Sequence, residues 1–167
     1  SPCDAKRSMC GPCSERSSKN DNDMKVKVIN RSAYDLPQYE TAQAAGLDVR
    51  ADLRESLVLG PLERALVPTG LYVEIPEGYE IQVRPRSGLA ARHGISLVNA
   101  PGTIDPDYRG EIKVIVVNLS NEPFELRPGE RIAQLVVARF ERIEWEATDS
   151  LTPTDRGEGG FGSTGRK

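Results

Sequence analysis

From residue 24 onward the chain alternates short apolar stretches with clusters of turn-forming residues. The segments "KVKVIN" (25–30), "ALVPTGLYVEI" (65–75), "YEIQVRP" (79–85), "IKVIVVNLS" (112–120) and "RIAQLVVARFERIEW" (131–145) are rich in Val, Ile, Leu and Tyr and predict strands. "PEG" at 76–78 and "RPGE" at 127–130 mark turns between them. Many short strands at close spacing predict an all-β sandwich or barrel. The run Ile112, Val114, Ile115, Val116, Val117 is apolar on both faces of its strand, so it should lie between two sheets or at a subunit contact. One segment departs from the pattern: "RSGLAARHG" (86–94) predicts a short helix with Ser87 as N-cap and Gly94 as its stop. Two stretches read as long and turn-rich, "VNAPGTIDPDYRGE" (98–111) and the chain from about Thr148, and the second should be mobile.

A length of 167 residues suits one domain, large enough to bury a core without disulfide or metal staples. The formal charge of -3 argues against a nucleic-acid partner, which usually leaves a basic patch. No apolar run approaches the roughly 20 residues a membrane span requires, and the N-terminal stretch lacks the apolar segment of a signal peptide, so a cytoplasmic location is expected. All 3 cysteines fall within residues 1–13, where Cys10 and Cys13 form CGPC. A redox role for that motif requires a helix N-terminus at a βαβ mouth, and no such pattern surrounds it. A zinc site would lack soft ligands, since the only histidine is His93. Residues 1–23 are expected to be a disordered leader or an expression remnant, 24–147 the β domain and 148–167 a flexible tail.

Several polar residues sit where a β domain does not need them. In "NAPGTIDPDYRGE", Asn99, Pro101, Gly102, Asp105 and Pro106 suit a hairpin turn, but the loop also gathers an amide, a carboxylate, a phenol and Arg109. A carboxylate held against a water can act as a general base. In "RPRSG" (84–88), two arginines and the Ser87 hydroxyl open the short helix and suggest an anion site. In "AGLDVRAD" (45–52), Asp48 stands between apolar neighbours, where an inward carboxylate must be paired or lie near a metal, and Gly46 suggests a bulge or close backbone approach. The tail carries Gly157, Gly159 and Gly162 at the spacing of a dinucleotide fingerprint, but no helix can follow within the five residues left after Gly162.

In this order, "AGLDVRA", "RPRSG", "GTIDPDYRGE", "RIAQLV" and "RGEGGFGSTG" resemble the five motifs of the trimeric dUTPase family, over Ala45 to Gly165. Thr103, where the family more often has a larger aliphatic, and Pro106 after the acid are small departures. The resemblance implies an all-β, jelly-roll-like (β-clip) subunit in a homotrimer, with each active site built from three chains. It implies hydrolysis of dUTP to dUMP and pyrophosphate with Mg2+, which keeps uracil out of DNA and supplies dUMP for thymidylate synthesis. Asp105 would be the base that activates water for attack on the α-phosphorus, with Asp107 the competing acid. Asn99 and the hairpin 97–104, including Thr103, would read uracil, Tyr108 would stack on the deoxyribose, and Phe161 would cover the uracil ring. Arg86, Ser87, Gly88 and Gln134 would bind the phosphate chain, joined from the tail by Arg156, Gly162, Ser163 and Thr164. Mg2+ would be held mainly by substrate phosphates and water, with Asp48 acting through those waters. Arg109 and Arg131 are left between structural and catalytic roles. Two rival readings are a dCTP deaminase of the same superfamily, which would need an acid at the base amino group, and a regulator that only binds nucleotide.

Overall fold

The computed structural model describes residues 24–165, so the CGPC stretch and the proposed leader lie outside the described residues. Ten strands and one helix follow in the order β1 (Lys27–Asn30), β2 (Gly46–Arg50), β3 (Leu57–Leu59), β4 (Arg64–Glu74), β5 (Tyr79–Arg84), α1 (Ser87–His93), β6 (Ile95–Leu97), β7 (Gly102–Ile104), β8 (Glu111–Asn118), β9 (Phe124–Leu126) and β10 (Arg131–Arg139). Two four-stranded sheets, ordered β1-β4-β8-β6 and β2-β10-β5-β7, enclose the core, and β3 and β9 form a small third sheet. The strand pairs are antiparallel, giving an all-β sandwich, one of the two forms the pattern predicts, with the jelly-roll-like character the resemblance implies.

The core lies between the inward faces of the two large sheets. Val67, Ile112, Val114 and Val116 come from one side and Val49, Ile81, Val83, Ile132 and Leu135 from the other. Full burial of such a side chain stabilises by about 1.5–3 kcal/mol, which makes this layer the main source of stability. The two-faced apolar run on β8 divides accordingly. Ile112, Val114 and Val116 enter the core, while Ile115 and Val117 are half-buried on the opposite face. There Leu66, the register partner of Ile115, is 59% exposed, and the neighbouring Val98 is 55% exposed.

Several expectations need correction. The strand predicted over 131–145 ends at Arg139: Phe140 N donates to Gly78 O at 3.1 Å, and beyond it the described chain pairs with no strand, leaving Ile143 and Trp145 exposed. Ser87 is not the N-cap. Extended backbone runs through Arg86, which takes the cap position without a side-chain cap bond, and Ser87 becomes the first helical residue. Gly94 does stop the helix, in the left-handed conformation (φ 65°) that a residue without Cβ adopts at little cost. The turns flanked by 97 and 104 do not form a hairpin. β6 pairs with β8 in one sheet and β7 with β5 in the other, so 98–101, with a cis Ala100–Pro101 bond, is a corner between sheets. Among the described residues no helix is long and apolar enough to cross a membrane.

Candidate active site

The corner brings one group of predicted residues together. Asn99, Thr103, Asp105 and Tyr108 line a cleft of about 650 Å³ with Val83, Gly102, Lys113 and Ile115. β7 supplies its floor because Gly102 pairs with Val83 and Ile104 with Ile81, placing the backbone of 102–104 at the sheet edge. Past β7 the chain turns at once: Tyr108 N donates to Asp105 O at 3.2 Å. The Tyr108 hydroxyl donates to Glu111 O at 3.0 Å, which fixes the ring across the turn. Arg109 braces the same loop, its Nη1 donating to Pro106 O at 2.6 Å and Tyr108 O at 3.1 Å. In this chain Arg109 therefore shapes the loop that presents Asp105.

Asp105 also borders a second, wider cleft of about 1020 Å³, with Asp107, Glu74, Glu77, Arg109 and Arg142 on its walls. Asp105 thus stands on the lip between two openings, exposed to water. Glu74 in the wider cleft accepts a hydrogen bond from Lys27 Nζ at 3.0 Å. That bond, and next the Lys27 charge, hold its carboxyl below the ordinary range.

The second group gathers where β5 runs into α1. Arg86 is half-buried, Ser87 exposed and Gly88 half-buried, and Gln134 of β10 reaches them by donating from Nε2 to Pro85 O at 3.1 Å. Gly46 makes room for that amide: a Cβ at this position would lie 2.5 Å from Gln134 Oε1. Asp48, expected to act through metal-bound water, is engaged within the chain. Its Oδ2 accepts from Arg131 Nη1 at 3.1 Å and lies 3.3 Å from Arg86 Nη2. The inward carboxylate is thus paired, which satisfies the requirement its burial imposes. Arg131 continues the network to Glu40 at 3.1 Å, a residue that nothing in the local sequence singles out.

The third group is the tail. Its hydrogen bonds among the described residues are local turns, such as Gly157 N to Thr154 O at 3.1 Å and Arg156 Nε to Gly159 O at 2.7 Å. Phe161 is fully exposed. Arg156, Phe161, Gly162, Ser163 and Thr164 line neither the Asn99 cleft nor the clefts at Arg86 and Asp48. Within one chain the three groups of predicted site residues remain apart.

Comparison with known proteins identifies what the chain is similar to. A family model described as dUTPase matches residues 19–165. The chain is 60% identical over 143 residues to the deoxyuridine 5'-triphosphate nucleotidohydrolase of Fusobacterium nucleatum, covering 86% of this chain and 98% of that protein. It is 56% identical over 142 residues to the enzyme of that name from Finegoldia magna, covering 85% and 99%. Among solved structures, the dUTPase of Staphylococcus bacteriophage 80alpha with dUPNHPP superposes with a TM-score of 0.76 at 26% identity, covering 84% of this chain and 98% of that one.

Proposed function

Since the chain belongs to the dUTPase family and hydrolyses dUTP as a dUTP diphosphatase, we propose that water attacks the α-phosphorus at a site assembled from three copies of the chain. The new bond joins water oxygen to the α-phosphorus, the bond from that phosphorus to the bridging oxygen breaks, and dUMP and pyrophosphate leave. One observation carries this reading: Asn99, Thr103, Tyr108 and Asp105 share a cleft, whereas the basic grip at Arg86 and the tail lie outside it. A homotrimer would bring the three together. The exposed apolar side chains of Leu66 and Val98 beside the Asn99 cleft, next to half-buried Ile115, support such a contact.

Each residue then has a task set by its chemistry. Asp105 takes a proton from the attacking water, a role that typically contributes about 10²- to 10⁴-fold. Asn99 and the backbone of β7 pair with the uracil edge. Cytosine, with donor and acceptor reversed, leaves buried groups unpaired at about 1–3 kcal/mol each. Thymine adds a methyl against the backbone floor beside Thr103, and overpacking there costs about 1–3 kcal/mol. Tyr108, held by Glu111, stacks on the deoxyribose where a 2'-hydroxyl would need space. Arg86, Ser87, Gly88 and Gln134 bind the phosphate chain, a neighbour's Arg156 reaches the γ-phosphate, Gly162, Ser163 and Thr164 add donors, and Phe161 covers uracil. The tail, 148–167, is a flexible element that closes over a neighbouring copy's active site, while 24–147 forms the β domain.

The donor set fits Mg2+ held mainly by substrate oxygens and water. Among the described residues no group of three or more His, Cys, Asp or Glu is placed to hold a metal ion. Asp48, with Oδ2 committed to its arginines, has Oδ1 left for a water of that metal. When bound, Mg2+ neutralises part of the triphosphate charge. We infer a cytoplasmic location from a substrate that is a free nucleotide. The test is pyrophosphate release measured across the common ribo- and deoxyribonucleoside triphosphates. Release from dUTP alone is expected. Comparable release from dTTP or UTP, or ammonia from dCTP, would contradict the reading.

A further inference from the structure

β10 carries an irregularity that bears on the phosphate grip. In its ladder with β2, Arg131 faces Arg50 but Ala133 already faces Val49 and Gln134 faces Asp48, so one extra residue of β10 is inserted between Arg131 and Ala133. Regular alternation would send side chains three positions apart to opposite faces. The bulge instead brings Arg131 and Gln134 to the same face, beside Asp48, while the adjacent Ile132 and Ala133 are both buried.

The consequence is a chain of charges ending on Arg86. Arg131 Nη1 donates to Glu40 Oε1 and to Asp48 Oδ2, each at 3.1 Å. Arg86 is then held at both terminal nitrogens, Nη2 lying 3.3 Å from Asp48 Oδ2 and Nη1 donating to the Arg131 carbonyl at 3.2 Å. Two contacts on a planar guanidinium fix its plane and leave its other N–H groups for an anion. Exposure falls along the network from 66% at Glu40 to 38% at Arg131 and 18% at Asp48, and Arg86 at its end is 29% exposed. A long side chain held before binding loses less freedom on binding than one that is free.

We propose that Arg131, steadied by Glu40, is a positioning residue: it clamps Asp48 so that Arg86 meets the phosphate chain in one orientation. The inference rests on the assignment of Arg86 to the phosphates. Its test compares Arg86→Ala, Arg131→Met, Arg131→Lys and Glu40→Gln by dUTP kinetics and by inhibition with pyrophosphate and with deoxyuridine, which lacks phosphate. For Arg131→Met the KM for dUTP and the inhibition constant of pyrophosphate should rise about 10- to 100-fold, the range that misplacement of a binding group produces. Deoxyuridine inhibition should stay at the wild-type value. Arg131→Lys should restore most of the loss, because an ammonium can also bridge two carboxylates. If Arg86→Ala weakens pyrophosphate binding while Arg131→Met does not, or if deoxyuridine binding falls equally, the positioning role is overturned. If Arg86→Ala itself leaves pyrophosphate binding intact, the assignment of Arg86 fails and the inference goes with it. Should Arg131→Met not fold, Glu40→Gln decides: a rise in KM of about two- to threefold, in keeping with a partly exposed ion pair, is expected, and a wild-type KM overturns the proposal.

Discussion

Gly46 on β2 and Gln134 on β10 meet on one face of the sheet with no room for a further atom. A Cβ built on Gly46 would lie 2.5 Å from Gln134 Oε1, 3.4 Å from its Cδ and 3.5 Å from its Cβ, so in Gly46→Ala only the amide end is in serious conflict. The strands themselves are pinned by the ladder that pairs Val136 with Gly46 and Gln134 with Asp48. The side chain should therefore swing and give up its 3.1 Å bond to Pro85 O. Losing one neutral hydrogen bond costs about 0.5–1.5 kcal/mol. Against this, Gly→Ala at a conformation open to both residues stabilises by about 0.4–1 kcal/mol through the unfolded chain. The melting temperature should move by only a few degrees, at about 2–8 °C per kcal/mol. The proposed phosphate grip should suffer more visibly. A hydrogen bond to a charged phosphate is worth about 1.5–3 kcal/mol, so its loss raises the KM for dUTP about 10- to 100-fold at about 1.4 kcal/mol per decade. The assay is a double-mutant cycle with Gln134→Ala, read by steady-state kinetics. Once the amide is removed, Gly46→Ala should add nothing, so the two losses must be strongly non-additive. Additive losses would refute the reasoning, and a fall of more than about 10 °C in Tm would mean that the strand moves instead of the side chain.

Removing residues 156–167 should abolish most dUTP turnover while leaving the melting temperature unchanged, because the tail's hydrogen bonds among the described residues are local. A large loss of Tm by calorimetry would contradict this. Asn118→Ala should do the reverse. The side chain is fully buried, donates to Leu59 O at 2.9 Å and Glu122 O at 2.7 Å, and accepts from the backbone and hydroxyl of Ser120 at 2.9 and 2.8 Å. Orphaning these partners should lower stability by about 2–4 kcal/mol and Tm by about 5–15 °C, with turnover at 25 °C retained. An unchanged Tm would contradict it.

The long strands were legible because β4, β5, β8 and β10 are extended apolar runs bounded by turn residues. β3, β6, β7 and β9 span three residues each, too few for alternation to register. The end of β10 was misread because "FERIEW" continues an apolar pattern that, in one chain, finds no partner strand. The corner at 98–101 has the composition of a hairpin turn, and only the destinations of β6 and β7 distinguish the two. The site divides in the same way. Asn99, Asp105 and Tyr108 share one short stretch of chain, so their proximity follows from spacing. The ion pairs of Asp48 depend on a bulge in β10 and on Glu40, residues 83 and 91 positions from their partners, which no local pattern announces. Ser87 stays beside Arg86 although it does not cap the helix, because extended backbone persists one residue past Pro85.

The central claim is that Asp105 and the tail over it come from different copies of the chain. Two inactive variants, Asp105→Asn and a chain ending at residue 155, can be co-refolded in equal amounts and assayed for pyrophosphate release from dUTP. With random assembly, half the sites take Asp105 from the shortened chain and half take a tail from the Asn variant, so about a quarter of all sites, one in each mixed trimer, are complete and the refolded mixture should regain about a quarter of wild-type activity. Mixed oligomers verified by mass that still show no turnover would mean that each chain closes its own site, and would contradict the account.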